Sequence, residues 1–209
     1  MRLALVVVLA ALSGSAAAQT LSDSTKRGVA SLQAGDSKAA FSAFTTSLKA
    51  DPRDGAAAYG RALALSAGGK NAEAAAMFAA YEKAGGKNPR LDLDFGTALV
   101  RSGKVKDGIA RLERYDAAGR PDAGEAKLML GAAYASEKRF GDAERALKNA
   151  SAIEAYRPTA LLLLGGLEAK RDRKAESQTY LAMLKKDAPN SPASKALDDV
   201  VRLRKEAKK

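Results

Sequence analysis

The sequence contains no cysteine, no histidine and no tryptophan in 209 residues. Each absence removes chemistry. Without cysteine there is no disulfide, no thiolate nucleophile or ligand, and no Cys-x-x-Cys-His segment for haem. Without histidine there is no Ser-His pair and no imidazole metal site. Aromatic residues are scarce, at 5 %. Six prolines and 18 glycines are too few for a fibrous or disordered chain. Val, Ile and Thr are sparse and nowhere alternate over a useful length, so no strand is expected after the first residues. Alanine is abundant, with 47 residues. It is the best helix former and a poor strand former, so the expected core is built from small side chains on closely packed helices. The length suits one ordinary domain or one repeat array.

The remaining chemistry is thin. Gly68-Gly69-Lys70-Asn71 and Gly85-Gly86-Lys87-Asn88 carry Gly-Lys. A phosphate loop also needs an earlier glycine and a following Ser or Thr, and here Ala64 and Tyr81 stand at the first position and Asn at the last. No Ser-x-x-Lys spacing occurs. Asp92/Asp94 and Asp198/Asp199 are neighbours one or two apart, which on a helix do not face each other. No run of alternating acids suits calcium. No catalytic residue, cofactor or metal is therefore expected, and the chain is read as a non-enzyme.

Residues 1–18 read as an address. Met1-Arg2 gives a positive start, Leu3–Leu12 is an apolar run, Ser13-Gly14-Ser15 breaks it, and Ala16-Ala17-Ala18 supplies small residues for cleavage before Gln19. Ten apolar residues reach about half-way across a bilayer, too short for an anchor. No cysteine is available to carry a lipid. The expectation is an exported chain, periplasmic after cleavage at Ala18, not a lipoprotein and without a transmembrane segment.

The rest of the sequence repeats. Gly35-Asp36, Gly69-Lys70, Gly103-Lys104 and Lys138-Arg139 follow one another at steps of 34, 34 and 35 residues. Gly28, Ala62, Gly96, Gly131 and Gly165 keep steps of 34, 34, 35 and 34 within apolar stretches. In each unit apolar residues recur three and four apart, as in Leu93, Gly96, Leu99 and Val100. A second amphipathic stretch follows the turn. Phe44, Phe78, Leu112, Leu147 and Leu181 are the expected plugs between neighbouring helices. All six prolines (Pro52, Pro89, Pro121, Pro158, Pro189, Pro192) fall between the expected helices or in their first turns. Asn88-Pro89 and Ser191-Pro192 read as a cap followed by a first-turn proline.

This pattern resembles the tetratricopeptide repeat family, whose unit is 34 residues in two antiparallel helices. Its carriers are Gly35-Asp36, Ala40, Phe44, Leu48 and Asp51-Pro52 in the first unit, and Leu130-Gly131, Tyr134, Phe140, Ala143 and Leu147 in the fourth. The family's early Trp is missing throughout. Gly108 and Ser177 stand where it has Ala, so the third and fifth units are expected to pack less tightly. The resemblance implies an all-α fold, a right-handed α-solenoid of about five helix hairpins over 19–190. The expected repeats are 21–54, 55–88, 89–122, 124–157 and 158–191. Residues 192–209 form a capping helix and basic tail, with Ala196, Leu197, Val200, Val201 and Leu203 apolar.

The resemblance further implies that the inner faces of the first helices hold a partner peptide or helix. The matching positions are Tyr59, Leu63, Leu93, Thr97, Arg101, Leu128, Ala132 and Leu162. Periodicity does not separate such a groove from inter-repeat core, or say whether the last helix covers it. The Lys/Asn set used to clamp a C-terminal carboxylate is missing there. The expected function is thus a protein-interaction scaffold or assembly accessory of the bacterial cell envelope. The alternative rests on charge. Lys170, Arg171, Arg173, Lys174, Lys185, Lys186, Arg202, Arg204 and Lys205 make the C-terminal unit basic, which suits an anionic lipid, cell-wall polymer or acidic protein. Export and the lack of interleaved aromatics argue against nucleic acid.

Overall fold

The computed structural model describes residues 21–120 and 122–206, with side chains as far as Arg202. The expected signal peptide (1–18) and the side chains of Leu203, Arg204 and Lys205 lie outside the described residues. Within them every regular element is helical: α1 (Asp23–Gln33), α2 (Ser37–Ala50), α3 (Gly55–Ala67), α4 (Asn71–Lys83), α5 (Leu91–Arg101), α6 (Val105–Ala117), α7 (Ala123–Ser136), α8 (Phe140–Ser151), a 3₁₀ turn (Glu154–Tyr156), α9 (Arg157–Lys170), α10 (Lys174–Asp187) and α11 (Pro192–Glu206). The chain divides into two compact units, one ending at Arg111 and the next beginning at Leu112.

The first turn of each pair is closed by the same device. Gly35, Gly69 and Gly103 have φ of 79°, 78° and 89°, and Lys138 and Asp172 take 60° and 64° at the equivalent step. The next N–H then reaches back to a carbonyl of the finished helix, as in Asp36 N to Ser31 O, Lys70 N to Leu65 O and Arg173 N to Glu168 O, at 2.9 Å each. A left-handed residue after the last turn lets these orphan carbonyls be met and reverses the chain. Several starts are capped by a short polar side chain. Ser22, Asp36 and Asp54 accept from Thr25, Ala39 and Ala57 N–H, and Ser191 accepts from Ser194 N–H. Asn88-Pro89 does not start α5. The Asn88 side chain instead accepts from Arg90 N–H at 2.8 Å, forming a turn, and the helix begins at Leu91.

In the first unit α1 packs on α2, α2 on α3, α3 on α4 and α4 on α5, with α1 also reaching α3. Small residues allow this. Phe44 is fully buried, and a Cβ on Gly28 or Gly60 would stand 2.6 or 2.5 Å from its ring. A hydroxyl network ties the same three helices. Thr25 and Ser47 both donate to Asp54, at 2.6 and 2.9 Å, while Asp54 caps α3. Burial pushes the Asp54 carboxyl up, but these hydrogen bonds outweigh it and hold the group below 3.8.

In the second unit α7 packs on α8, α8 on α9 and α9 on α10, with α7 reaching α9, and α11 lies against both α9 and α10. Leu147 covers Gly131, a Cβ there falling 2.4 Å from it. Gly165 is covered by Leu197 of α11, at 2.5 Å, and Leu197 is fully buried. The two sites expected to be loose are filled. Gly108 lets α6 approach so closely that a Cβ would meet Val100 at 2.6 Å and Gly96 O at 2.8 Å. Ser177 is buried and donates to Gly165 O at 2.9 Å, so its hydroxyl is satisfied. The fold is an all-α stack of helix hairpins, an α-solenoid.

Candidate interaction surfaces

The expected inner-face residues separate into two groups. Tyr59 is 1 % exposed and Leu93 is fully buried. Both are core, which corrects the groove at these two positions. Tyr59 packs edge-on to Phe78 and against Tyr81, with ring centroids 5.3 and 5.2 Å apart. Its hydroxyl donates to Asp94 on α5. Asp94 also pairs with the buried Arg90 at 3.6 Å. Burial, and then the Asp94 charge, push the Tyr59 hydroxyl far above 10, so it stays a neutral donor. A second group braces the same unit. Arg111 grips Glu82 through two bonds of 2.7 and 2.9 Å, reaches Asp92 at 3.0 Å, and lies 3.9 Å above the Phe95 ring. The geometry links α4, α5 and α6 through one guanidinium that is held by two acids and stacked on a ring.

The other inner-face residues stay accessible. Leu63 and Thr97 are half-buried and Arg101 is exposed in the first unit. Leu63 packs beside the Tyr59 cluster with one side. In the second unit Leu128 and Leu162 are half-buried and Ala132 is exposed. Leu162 also leans on the cluster containing Leu197, Val200 and Val201 of α11, so the last helix borders this part of the face.

The basic C-terminal residues separate likewise. Arg171 pairs with Glu168 at 2.8 Å and Glu144 at 3.5 Å. Arg173 approaches Glu168 at 3.6 Å, Lys185 pairs with Asp198 at 3.1 Å, and Arg202 with Asp199 at 3.1 Å. Lys170, Lys174 and Lys186 are exposed and make no ion pair among the described residues. Glu168, only 2 % exposed, was not singled out in the sequence. An acid in an apolar helix directly before an Arg-rich turn is the signal that marks it. Among the described residues no group of three or more Asp or Glu is arranged to hold a metal ion. No helix among them is long and apolar enough to cross a membrane.

The architecture defines a helical-repeat protein, a stack of two-helix units closed by identical turns. The sequence profile of the tetratricopeptide repeat family matches residues 25–89 and 93–152, and the chain belongs to that family. Among solved structures it is similar to PilW, a widely conserved type IV pilus biogenesis factor. The TM-score is 0.74 at 19% identity, over 91% of this chain and 93% of that one. It is similar to YrrB, a tetratricopeptide repeat protein with an unusual peptide-binding site, with a TM-score of 0.64 at 19% identity over 84% and 90%. It is also similar to TTC0263 of Thermus thermophilus, at 0.63 and 22% identity over 88% and 96%. These likenesses are of fold. No curated protein matches the chain in sequence.

Proposed function

We propose that this chain is a non-enzymatic protein-interaction scaffold, exported to the periplasm, that assists assembly in the bacterial cell envelope. The observation that carries the interaction reading is the inner face of the first helices. Leu63, Leu128 and Leu162 keep part of their apolar surface exposed although fully buried alternatives, such as Leu93, exist one unit away. Half-exposed aliphatic side chains on a helix are suited to an apolar partner segment. Family membership supports the same class, and YrrB and PilW supply the analogy to peptide binding and pilus biogenesis. Export is supported by the order of charge, apolar run and small residues over 1–18.

The test is retention of a specific protein from envelope extract at moderate salt. Wild type is compared with Leu63→Asp and Leu128→Asp, which change accessible side chains and leave Tyr59 and Leu93 in the core. Loss of the same partner in both variants, each still folded by circular dichroism, is expected. Equal retention by all three proteins would refute groove binding. A second reading, docking to an anionic surface, rests on Lys170, Lys174 and Lys186. Binding of that kind weakens steeply with salt and ignores the leucine changes.

A further inference from the structure

One arginine stands where the repeat keeps apolar core. Arg61 lies on α3, and at steps of 34, 35 and 34 residues the same position holds Phe95, Leu130 and Leu164, all buried. Arg61 itself is half-buried. Its Nη2 donates to the Met77 sulfur at 3.3 Å, and its Nε is shut away from water with no hydrogen-bond partner. It makes no ion pair among the described residues. A thioether is a weak acceptor, so this guanidinium gives up water and gains no counter-charge for it.

The next unit carries the same contact in a completed form. Arg61 on α3 meets Met77 on α4, and 34 residues later the pair is Phe95 on α5 and Arg111 on α6. There the guanidinium comes from the second helix, and Glu82 and Asp92 hold it. The positions 34 residues before those acids are Leu48 and Ala58. Arg61 thus has the contact of Arg111 with both carboxylates taken away. Arg27 repeats the situation one unit earlier. It is exposed on α1, 34 residues before Arg61, and donates to Ser24, which holds the register position of Asp92. Helices α1 and α3 touch, and packed helix axes lie about 8–10 Å apart, so the two guanidiniums are neighbours. They do not belong to the inner face. Arg61 is two residues from both Tyr59 and Leu63, which is about 200° round the helix from each.

We propose that Arg61, with Arg27 beside it, is an oxyanion site that takes carboxylates from an acidic segment of a partner protein. The chain's own use of the contact argues for a carboxylate. Arg111 receives Glu82 through two bonds of 2.7 and 2.9 Å, the planar fork of a guanidinium matching the edge of a carboxylate. An apolar ligand group would leave Arg61 as unpaired as it is now. Two neighbouring guanidiniums select a segment with more than one acid. The inference rests on the scaffold reading for the existence of a protein partner, and it places this contact on a different face of α3 from Leu63.

The probe is a fluorescein-labelled peptide of alternating Gly and Glu, blocked at both ends, titrated against the full chain by anisotropy at moderate salt. Arg61→Gln removes the cation, and Ala58→Asp gives Arg61 an acid of its own where the next unit has Asp92. Lys170→Gln and Leu63→Asp lower the net charge equally at other places. Arg61→Gln and Ala58→Asp should weaken binding about fivefold or more, and the two controls less than about twofold. Ala58→Asp and Arg61→Leu should each raise Tm by roughly 2–4 °C, one by pairing the cation and the other by restoring the apolar residue of the later units. Equal weakening by all four charge changes, no binding to wild type, or a lower Tm for Arg61→Leu would overturn the proposal. Displacement of the peptide by inorganic phosphate at far lower concentration than by acetate would overturn the carboxylate assignment. If Leu63→Asp abolishes binding and Arg61→Gln does not, the groove reading stands and this inference falls. If the leucine test in envelope extract fails while the peptide result holds, the groove is lost and the acidic site remains.

Discussion

Exchanging glycine for alanine inside a helix ordinarily stabilises it by roughly 1 kcal/mol. At Gly28 the structure reverses that sign. An alanine Cβ would stand 2.6 Å from one ring carbon of Phe44 and 2.7 Å from two others. Carbon atoms pack best at about 3.5 to 4.0 Å, so the overlap is roughly 1 Å. Gly60 approaches the same end of the ring, a Cβ there falling 2.5 Å from Cζ and 2.6 Å from Cε1, so the ring cannot yield without meeting α3. Forcing an extra methyl into such a site costs about 1–3 kcal/mol. Set against the helix gain, Gly28→Ala should lose up to about 2 kcal/mol, a fall of up to roughly 8 °C in Tm for a chain of this size. Gly166→Ala is the same chemical change over open space, and should raise Tm by roughly 2–4 °C. Thermal and urea melts followed by far-ultraviolet circular dichroism compare the two directly. Adding Phe44→Leu to Gly28→Ala should recover part of the loss. Equal shifts of one sign for Gly28→Ala and Gly166→Ala would refute the reasoning.

Tyr59→Phe keeps the ring contacts and removes the donor to Asp94, so it should cost about 1–3 kcal/mol through an under-satisfied acid beside Arg90, read as a lower urea midpoint at unchanged m. Arg171→Met keeps a stem near Phe140 but removes the hydrogen bond to Glu168 and leaves it only the longer Arg173 pair; a loss of about 1–3 kcal/mol is expected, largely restored when Glu168→Met is added. Asp54 has a folded-state pKa below 3.8, so its contribution is present above that value and disappears as pH falls through the lower folded value. Asp54→Asn should therefore melt below wild type at neutral pH, and the gap should close in acid. A gap constant down to pH 2 would show that the carboxylate charge is not what Thr25 and Ser47 recognise.

The hairpins were legible because a turn states its own requirements. A left-handed residue recurs at 35, 69, 103, 138 and 172, and three of the five are glycine, so the period shows directly in the sequence. The groove was less legible because a stripe on a helix does not say what closes over it. Tyr59 and Leu63 lie one turn apart on the same face of α3, yet one is core and the other accessible. The difference is made by Phe78, Tyr81 and Asp94, which stand on α4 and α5 and converge on Tyr59. Asp94 stands two residues from Asp92 on one helix, so the two do not face each other. The two neighbours serve different arginines, Asp94 meeting Arg90 and Asp92 meeting Arg111.

The end of the array shows why register carries more than composition does. In the first hairpin a large side chain, Phe44, lies between two small positions, Gly28 and Gly60, the second 32 residues after the first. In the last hairpin the corresponding trio is Gly165, Leu181 and Leu197, again with a step of 32. There the plug is leucine and the far position is no longer glycine, so bulk has moved from the second helix onto α11. Leu197 takes the seat over Gly165 and is fully buried, while Leu181 stays 8 % exposed at its side. Helix α11 thus occupies the place of a sixth first helix. Where a further hairpin would need a small residue, at the step of 34 from Gly165, it carries Asp199, 62 % exposed and paired with Arg202. A second helix cannot pack closely over a solvated ion pair. The contacting face of α11 keeps the repeat's register, and its outer face carries a solvated ion pair where the repeat has a small residue.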